Sequence, residues 1–306
     1  MHLSKSDITV IILTYNEAIH VQRVIVSARA VSDHVIIIDS FSSDDTVSRA
    51  QALGANVFQH PFKTQAEQLK CAMENCNIQT PWTLRMDADE YFTPELVNEI
   101  LTRLPTLPQT VSGIFFKRRV HFMGKWIRHG GYYPIKLLRL WRTHHARIER
   151  RWMDEHTYLT QGDAIEFQFD IVDDNLNNLA WWTEKHNNYS TREAVEILMS
   201  KHREEHADNT SGLGKQVSRK RWYKENLYLR LPLFLRCMLY YQYRYWIRLG
   251  FLDGKHGLVF HFLQALWYRV LVDAKIWQIQ MLIRKENMTV PEAILRKFAI
   301  KLTSQV

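Results

Sequence analysis

Residues 8–39 read ITVIILTYNEAIHVQRVIVSARAVSDHVIIID. Ile8 to Leu13 is a continuous apolar run rich in β-branched residues, the pattern of a strand buried on both faces. Glu17 to Ala30 changes to helical spacing, and HVIIID, residues 34–39, reads as a second buried strand. The alternation continues outward from this stretch. SSDDTVSRAQALG, from Ser42, predicts a helix, with Ser42 and Asp45 at capping-box spacing and Gly54 as its stop. NVFQH (56–60) predicts a third strand, Thr64 to Asn75 a helix, and WTLRMD (82–87) a fourth strand. Thr93-Pro94 then opens another helix, with Thr as N-cap and Pro at the first position. Such alternation with short connections predicts an α/β domain: a mostly parallel, Rossmann-like sheet with flanking helices. Ligands of such sheets bind beyond the C-terminal ends of the strands. Three strands here end in polar residues, at Thr14–Glu17, Asp39–Ser40 and Asp87–Asp89, and these ends are predicted to meet at one rim.

The third of these ends lies in LRMDADEYF, residues 84–92. At a strand end, residues two apart point to the same side, so Asp87 and Asp89 are expected side by side. Adjacent carboxylates repel, and burial makes ionisation costlier. A hard divalent cation resolves both, and Mg²⁺ commonly binds through one or two carboxylates plus substrate phosphates. An acidic turn leading into the helix at Thr93 accounts for the same residues without a ligand. No G-x-x-x-x-G-K-[ST] loop and no G-x-G-x-x-G follows the first strand, which argues against P-loop and dinucleotide chemistry. Asp39 is placed to bond a base or ribose, or to cap the next helix.

The chain has 306 residues, 46% hydrophobic and 24% charged, enough for a sizeable core and unlike a disordered chain. The net charge of +8 calls for an anionic partner and does not choose among nucleic acid, lipid and phosphate ligands. Cys71, Cys76 and Cys237 match no zinc spacing and no disulfide framework, so they read as reduced thiols of a cytoplasmic protein. The first residues do not form a secretory leader pattern, and no charge-free run is long enough to span a bilayer.

VIILTYNEAIHVQRVIVSA, VIIIDSFSSDDT and WTLRMDADEYF, in this order, resemble the nucleotide-sugar segments of family 2 glycosyltransferases, which have a GT-A fold. GKWIRHGGYYPIKLLRLWR and WMDEHTYL further resemble a bacterial subgroup that builds lipopolysaccharide core, capsule or other surface glycans. The resemblance implies inverting transfer of a hexosyl or N-acetylhexosaminyl group from a nucleotide sugar, a UDP-sugar first among them, with Mg²⁺ or Mn²⁺. The acceptor would be a lipid-linked glycan or a core oligosaccharide. It implies that Thr14, Tyr15, Glu17 and Asp39 hold the nucleoside, and that Asp87 and Asp89 flank the ribose and the metal–diphosphate. Lys70 stands where such proteins often carry Asn, and is open to a phosphate or sugar contact.

Displacement at the anomeric carbon needs a base for the acceptor hydroxyl. By the resemblance Glu155 matches best and Asp154 is a close second; His156 would bind metal, orient the base, or be a plain loop residue. In RHGGYYP, Arg128 and His129 are candidates for phosphate contact and Tyr132 and Tyr133 for sugar stacking, unless the segment is simply a turn with packing aromatics. Arg139 lies within LLRLW and Arg142 follows it, and either is a candidate for the diphosphate. The expected organisation is a nucleotide-sugar half (1–110), an acceptor half with the base (111–175) and a C-terminal amphipathic helical region (176–306). In the last, Arg236, Arg244 and Arg248 fall within about 120° of one helix, among Leu, Phe, Met, Tyr and Trp. Residues 219–285 are therefore expected to lie on the cytoplasmic face of the inner membrane, or to pack on the catalytic domain or a second subunit. A nucleotidyltransferase would use a similar metal rim but needs a basic Gly-rich loop, which TYNEAIH is not. A catalytically inert sugar-binding relative is disfavoured by the intact carboxylates. A nucleic-acid-binding protein lacks a supporting motif, so no nucleic acid is expected as partner.

Overall fold

In the computed structural model, residues 5–149, 155–200 and 214–301 are described. Two compact units divide the chain, Met1–Leu176 with Thr210–Ser218, and Asn177–Asn209 with Arg219–Val306.

The first unit is built on β1 (Ile8–Thr14), β2 (His34–Asp39), β3 (Asn56–Gln59) and β4 (Trp82–Asp87). β1 lies between β2 and β4, and all four strands are parallel. Beyond β4 come β5 (Glu90–Phe92), β6 (Val111–Phe122), β7 (Lys125–Trp126), β8 (Ile135–Arg142) and β11 (Asp163–Asp174). The sheet order is β3-β2-β1-β4-β8-β6-β11-β5, with β7 paired to β6. β8 runs antiparallel to β4 and β6, and β6 runs parallel to β11, so β6 and β11 end at the same rim as β1 and β4. This is a GT-A-like, Rossmann-like mixed sheet with a parallel core.

Alternation along β1 explains its burial. Ile8, Val10 and Ile12 pack with Val24 and Ile25 of α1 (Val21–Arg29), Ala50 of α2 (Thr46–Ala52) and Leu96 and Ile100 of α4 (Pro94–Arg103). Ile11 faces the other way, into Leu69 and Ala72 of α3 (Gln65–Asn75) and the hairpin of β9 (Ala146–Ile148) and β10 (Thr157–Leu159). Thr93 caps α4 as expected, accepting from the Leu96 N–H at 3.3 Å. Thr93→Ala is expected to cost about 1 kcal/mol in urea unfolding; an unchanged midpoint would remove the cap.

Three local expectations are corrected. α1 begins at Val21, because Glu17 to His20 close a turn through the His20 N–H to Glu17 C=O bond of 2.8 Å. Ser42 and Asp45 form no capping box: the Ser42 hydroxyl is turned to Asp39, and Asp45 gives no side-chain cap. β4 ends at Asp87, Ala88-Asp89 is a turn, and Glu90 starts β5 against β11. Strand alternation therefore does not extend from Asp87 to Asp89.

The second unit is helical: α5 (Leu179–Ser200), α6 (Lys215–Asn226, shared with the first), α7 (Leu235–Gln242), α8 (Gly254–His261), α9 (Tyr268–Glu286) and α10 (Val290–Phe298). Its interior carries ion pairs as well as apolar side chains. Glu193 accepts from Tyr268 (2.6 Å) and pairs with Arg269 (2.7 Å) and Lys224 (2.9 Å). Arg236 pairs with Asp273, both buried, so it does not belong to a solvated basic stripe. Among the described residues no helix is long and apolar enough to cross a membrane.

His186 stacks on Trp182 at 3.5 Å between centroids, and burial holds its pKa down at about 4. The folded value lies below the usual His value, so the stabilisation is present above about pH 6.5 and is lost as pH falls toward 4. His186→Phe is expected to flatten that acid limb of the melting curve, by roughly 2 kcal/mol. An acid limb identical to wild type would contradict this.

Candidate active site

The rim joins segments distant in sequence. Thr14, at the end of β1, donates to Asp39 Oδ1 at 3.0 Å, and both are buried. Asp39 Oδ2 accepts the Ser42 N–H at 2.7 Å. Asn16, at φ 54°, donates its N–H to Ser42 Oγ (2.8 Å) and accepts the Ser43 N–H on its side chain (2.8 Å). Asp44 accepts N–H bonds from Ala18 (3.1 Å) and Thr46 (3.0 Å). Burial works against its charge, but these bonds and the Thr46 hydroxyl hold its pKa below the usual carboxylate value. The loops after β1 and β2 are thus one fixed unit. Thr14 and Asp39 are inside it, whereas Tyr15 is 59% exposed at the rim.

Glu17 faces His20 Nδ1 at 2.6 Å, and His20 Nε2 accepts the Leu176 N–H at 2.8 Å. Because Nε2 accepts, Nδ1 carries the proton and donates to Glu17. The Glu17 carboxylate is committed to this bridge on one oxygen, which the expectation of nucleoside contact did not foresee.

The acidic turn is paired with arginines. A terminal nitrogen of Arg139 donates to Asp87 Oδ2 at 2.7 Å and to Glu90. Arg85 donates to Asp87 Oδ1 at 3.1 Å and to Gln65 at 3.2 Å. The Asp87 N–H donates to Glu90 Oε2 at 2.9 Å. Burial disfavours the Asp87 charge, but Arg139 and Arg85 outweigh it and hold the carboxyl well below the usual range. Glu90 is fully buried, and burial, with repulsion from Asp87, pushes it up to about 8 against the pull of Arg139. Asp89 points elsewhere: its Oδ2 accepts from Asn175 at 2.9 Å, and its carbonyl accepts from Arg23 (3.1 Å) and from the Asp174 N–H (3.0 Å).

Other expected residues fall away from this cluster. Arg142 sits at the opposite end of β4, opposite Trp82, with its Nε on the Val111 carbonyl (2.8 Å); Arg139 is the arginine at the rim. Lys70 lies on the exposed side of α3, 3.8 Å from Glu74, because the helix turns Ala66, Gln68, Leu69 and Ala72 inward. Gln68 reaches Ser40 (3.1 Å) and the His60 carbonyl (2.9 Å). Tyr133 does not stand free for a sugar: it meets Trp126 edge-on and donates to Asp170 at 2.9 Å, which also pairs with Arg119 at 2.7 Å. Arg128 lies over the Trp126 ring, 4.5 Å from its centroid, next to His129, Gly130, Gly131 and the part-buried Tyr132. His156 directly precedes β10, on the connection from β9, with its Nδ1 3.5 Å from Glu149. Glu155 precedes it, half-buried, and Asp154 lies outside the described residues.

A family model described as Glycosyl transferase family 2 matches residues 9–172, more than half of the chain. The chain belongs to glycosyl transferase family 2. This family 2 chain is 41% identical over 93 residues to an uncharacterized glycosyltransferase of Rickettsia conorii, covering 30% of the chain and 32% of the relative. A Rickettsia bellii protein of the same description is 40% identical over 98 residues, 32% and 33% of the two chains. These matches span about a third of the relatives' length. Among solved structures, S. aureus TarS in complex with UDP-GlcNAc is similar over 91% of this chain and 92% of its own, at 13% identity and TM-score 0.46. M. tuberculosis glucosyl-3-phosphoglycerate synthase with Mn²⁺, UDP and glucosyl-3-phosphoglycerate is similar over 38% and 44%, at 25% identity and TM-score 0.30.

Among the described residues no three His, Cys, Asp or Glu side chains form a group that could hold a metal, so Asp87, Asp89 and His156 are not a joint cage. The donor set nevertheless fits a cation held mainly by a diphosphate. Asp89 uses only Oδ2 within the described residues, leaving Oδ1 as a hard oxygen donor, whereas both Asp87 oxygens already accept from Arg85 and Arg139.

Proposed function

We propose that the chain transfers a hexosyl or N-acetylhexosaminyl group from a nucleotide sugar, a UDP-sugar first among them, to a hydroxyl of a lipid-linked or core-oligosaccharide acceptor in bacterial surface polysaccharide synthesis. The observation that carries this reading is the rim itself. A loop surface with exposed Tyr15, organised from beneath by Thr14, Asp39 and Ser42, shares the strand ends with an acidic turn backed by Arg85 and Arg139.

In this reading residues 1–110 bind the donor. Tyr15 packs on the base, and Asp39 acts through the loop it fixes. Asp89, with Asp87 two residues before it at the end of β4, would hold Mg²⁺ or Mn²⁺, which when bound neutralises the departing diphosphate. Residues 111–175 form the acceptor side, where Arg128, His129 and Tyr132 meet the acceptor. Glu155 takes the proton of the acceptor hydroxyl, with Asp154 the alternative. The acceptor oxygen forms its bond to the anomeric carbon from the side opposite the leaving group. The bond to the diphosphate oxygen breaks with its electron pair, and the anomeric centre inverts. Residues 219–285 attach the protein to the cytoplasmic face of the inner membrane, where a lipid-carried acceptor is found.

The test is release of nucleoside diphosphate from a panel of nucleotide sugars, with and without EDTA. EDTA-sensitive hydrolysis of one donor is expected. No release from any donor, together with no donor-dependent thermal stabilisation, would overturn the reading. Glu155→Gln is expected to lower transfer by about 10²–10⁴-fold; if Asp154→Asn does so instead, the base is Asp154.

A further inference from the structure

We infer that the helical hairpin formed by Leu235–Ile247 and α8 inserts its tip into one leaflet of an anionic phospholipid membrane. This rests on the reading of residues 219–285 as membrane-facing, and adds which part enters, how far, and into what lipid.

α7 continues into a π-helical turn, Tyr243–Ile247, and the chain reverses before α8. The reversal is tight. A Cβ on Gly250 would stand 2.5 Å from the His261 ring, and one on Gly257 would stand 2.4 Å from the Gly250 carbonyl oxygen. Leu249 takes φ 60°, a conformation that leucine rarely adopts. Backbone bonds inside the tip are met internally: Arg248 N–H to Tyr243 C=O (2.8 Å), Leu249 to Trp246 (3.2 Å) and Leu252 to Leu249 (3.0 Å). A segment entering hydrocarbon must satisfy its backbone in this way.

The exposed side chains of this fixed tip are mostly apolar. Ile247 is 71% exposed, Trp246 56% and Leu252 54%, with Leu249, Leu258 and Phe262 also exposed. Along α7 and its extension, the exposed residues Leu235, Met238, Leu239, Tyr243, Trp246 and Ile247 recur at helical spacing and make one stripe. Soluble surfaces rarely carry so continuous an apolar patch. The helix Leu235–Ile247 is about 20 Å long at roughly 1.5 Å per residue, which suits one leaflet and is too short to cross.

Charge selects the occupant. Between Leu227 and Lys285 the acids are Asp253 and Asp273, both buried, whereas Arg248 and Lys255 are exposed at the tip. A second copy on the same surface would set like charges against each other. Anionic headgroups neutralise them, and Arg248 reaches the headgroups along its own alkyl stem.

Flotation of the full chain with phosphatidylcholine vesicles, with and without phosphatidylglycerol, tests this. Wild type is expected to float with the phosphatidylglycerol vesicles. Ile247→Glu/Leu252→Glu is expected to lose about tenfold or more of the bound fraction. Its melting temperature and its nucleotide-sugar hydrolysis without vesicles should stay unchanged, which separates this inference from the transfer reading. Equal flotation of wild type and variant would overturn insertion and leave electrostatic adsorption. Concentration-dependent dimers of wild type that the variant abolishes, without vesicle binding, would overturn the lipid in favour of a second copy. A milder variant, Ile247→Ser, repeats the comparison if the double variant does not fold.

Discussion

Arg139→Met is expected to be the most destabilising single change in the first unit. It leaves Glu90, wholly buried, facing Asp87 without the cation that lies between them. Asp87 keeps Arg85 at 3.1 Å, but among the described residues Glu90 keeps only the Asp87 N–H. Removing one partner of a buried pair costs about 3–5 kcal/mol, which for a unit of this size is a fall of order 10 °C in Tm. Replacing both partners should cost much less. Arg139→Met/Glu90→Gln removes the cation together with the buried carboxyl and retains an amide oxygen as acceptor for the Asp87 N–H. Differential scanning calorimetry of the two single variants and the double variant decides. If Arg139→Met melts with wild type, the triad is not a coupled unit.

Asp89→Ala is expected to reduce nucleotide-sugar hydrolysis and transfer by about 10³-fold while moving Tm little. Losing one donor to charge that develops on a leaving group costs about 10²–10³-fold, and loss of the cation adds to that. Its structural cost is small, since the side chain is part-exposed and makes one bond, to Asn175. Asp87→Asn should combine both effects, because Asp87 is also the partner of Arg85 and Arg139. The measurement is EDTA-reversible product release alongside a melt for each variant. Near-normal turnover in Asp89→Ala would move the site away from this turn.

Strong local patterns made much of the first unit legible. His34–Asp39 and Trp82–Asp87 are strands with the bounds that the apolar runs predicted, and Thr93 caps its helix. The convergence of Thr14, Asp39 and Asp87 follows from parallel pairing of those strands. Pairings across long separations were not legible. No local signal ties Arg139 to Glu90, Glu17 to the chain at Leu176 through His20, or Tyr133 to Asp170. A tyrosine beside glycines fits a sugar platform and a packed hairpin equally well in sequence, and only the buried carboxylate of Asp170 decides for packing. Arg142 and Arg139 are separated by three positions on one strand, and the direction of β8, which the pattern leaves open, determines which reaches the rim.

The place of β5 has a consequence for biosynthesis. Glu90–Phe92 directly follows the acidic turn, yet among the described residues it pairs with β11 alone, at the far edge of the sheet. Arg23 likewise closes on both Asp89 and Asp174. While the chain emerges from the ribosome, the nucleotide half can form its β1–β2–β4 core early. Its acidic turn has to wait until Asp174 is out of the exit tunnel, roughly 30 s or less at ordinary elongation rates. Until then the nascent protein has a sheet with an unfilled edge, and the turn at Asp89 lacks its contacts to Asp174 and Asn175.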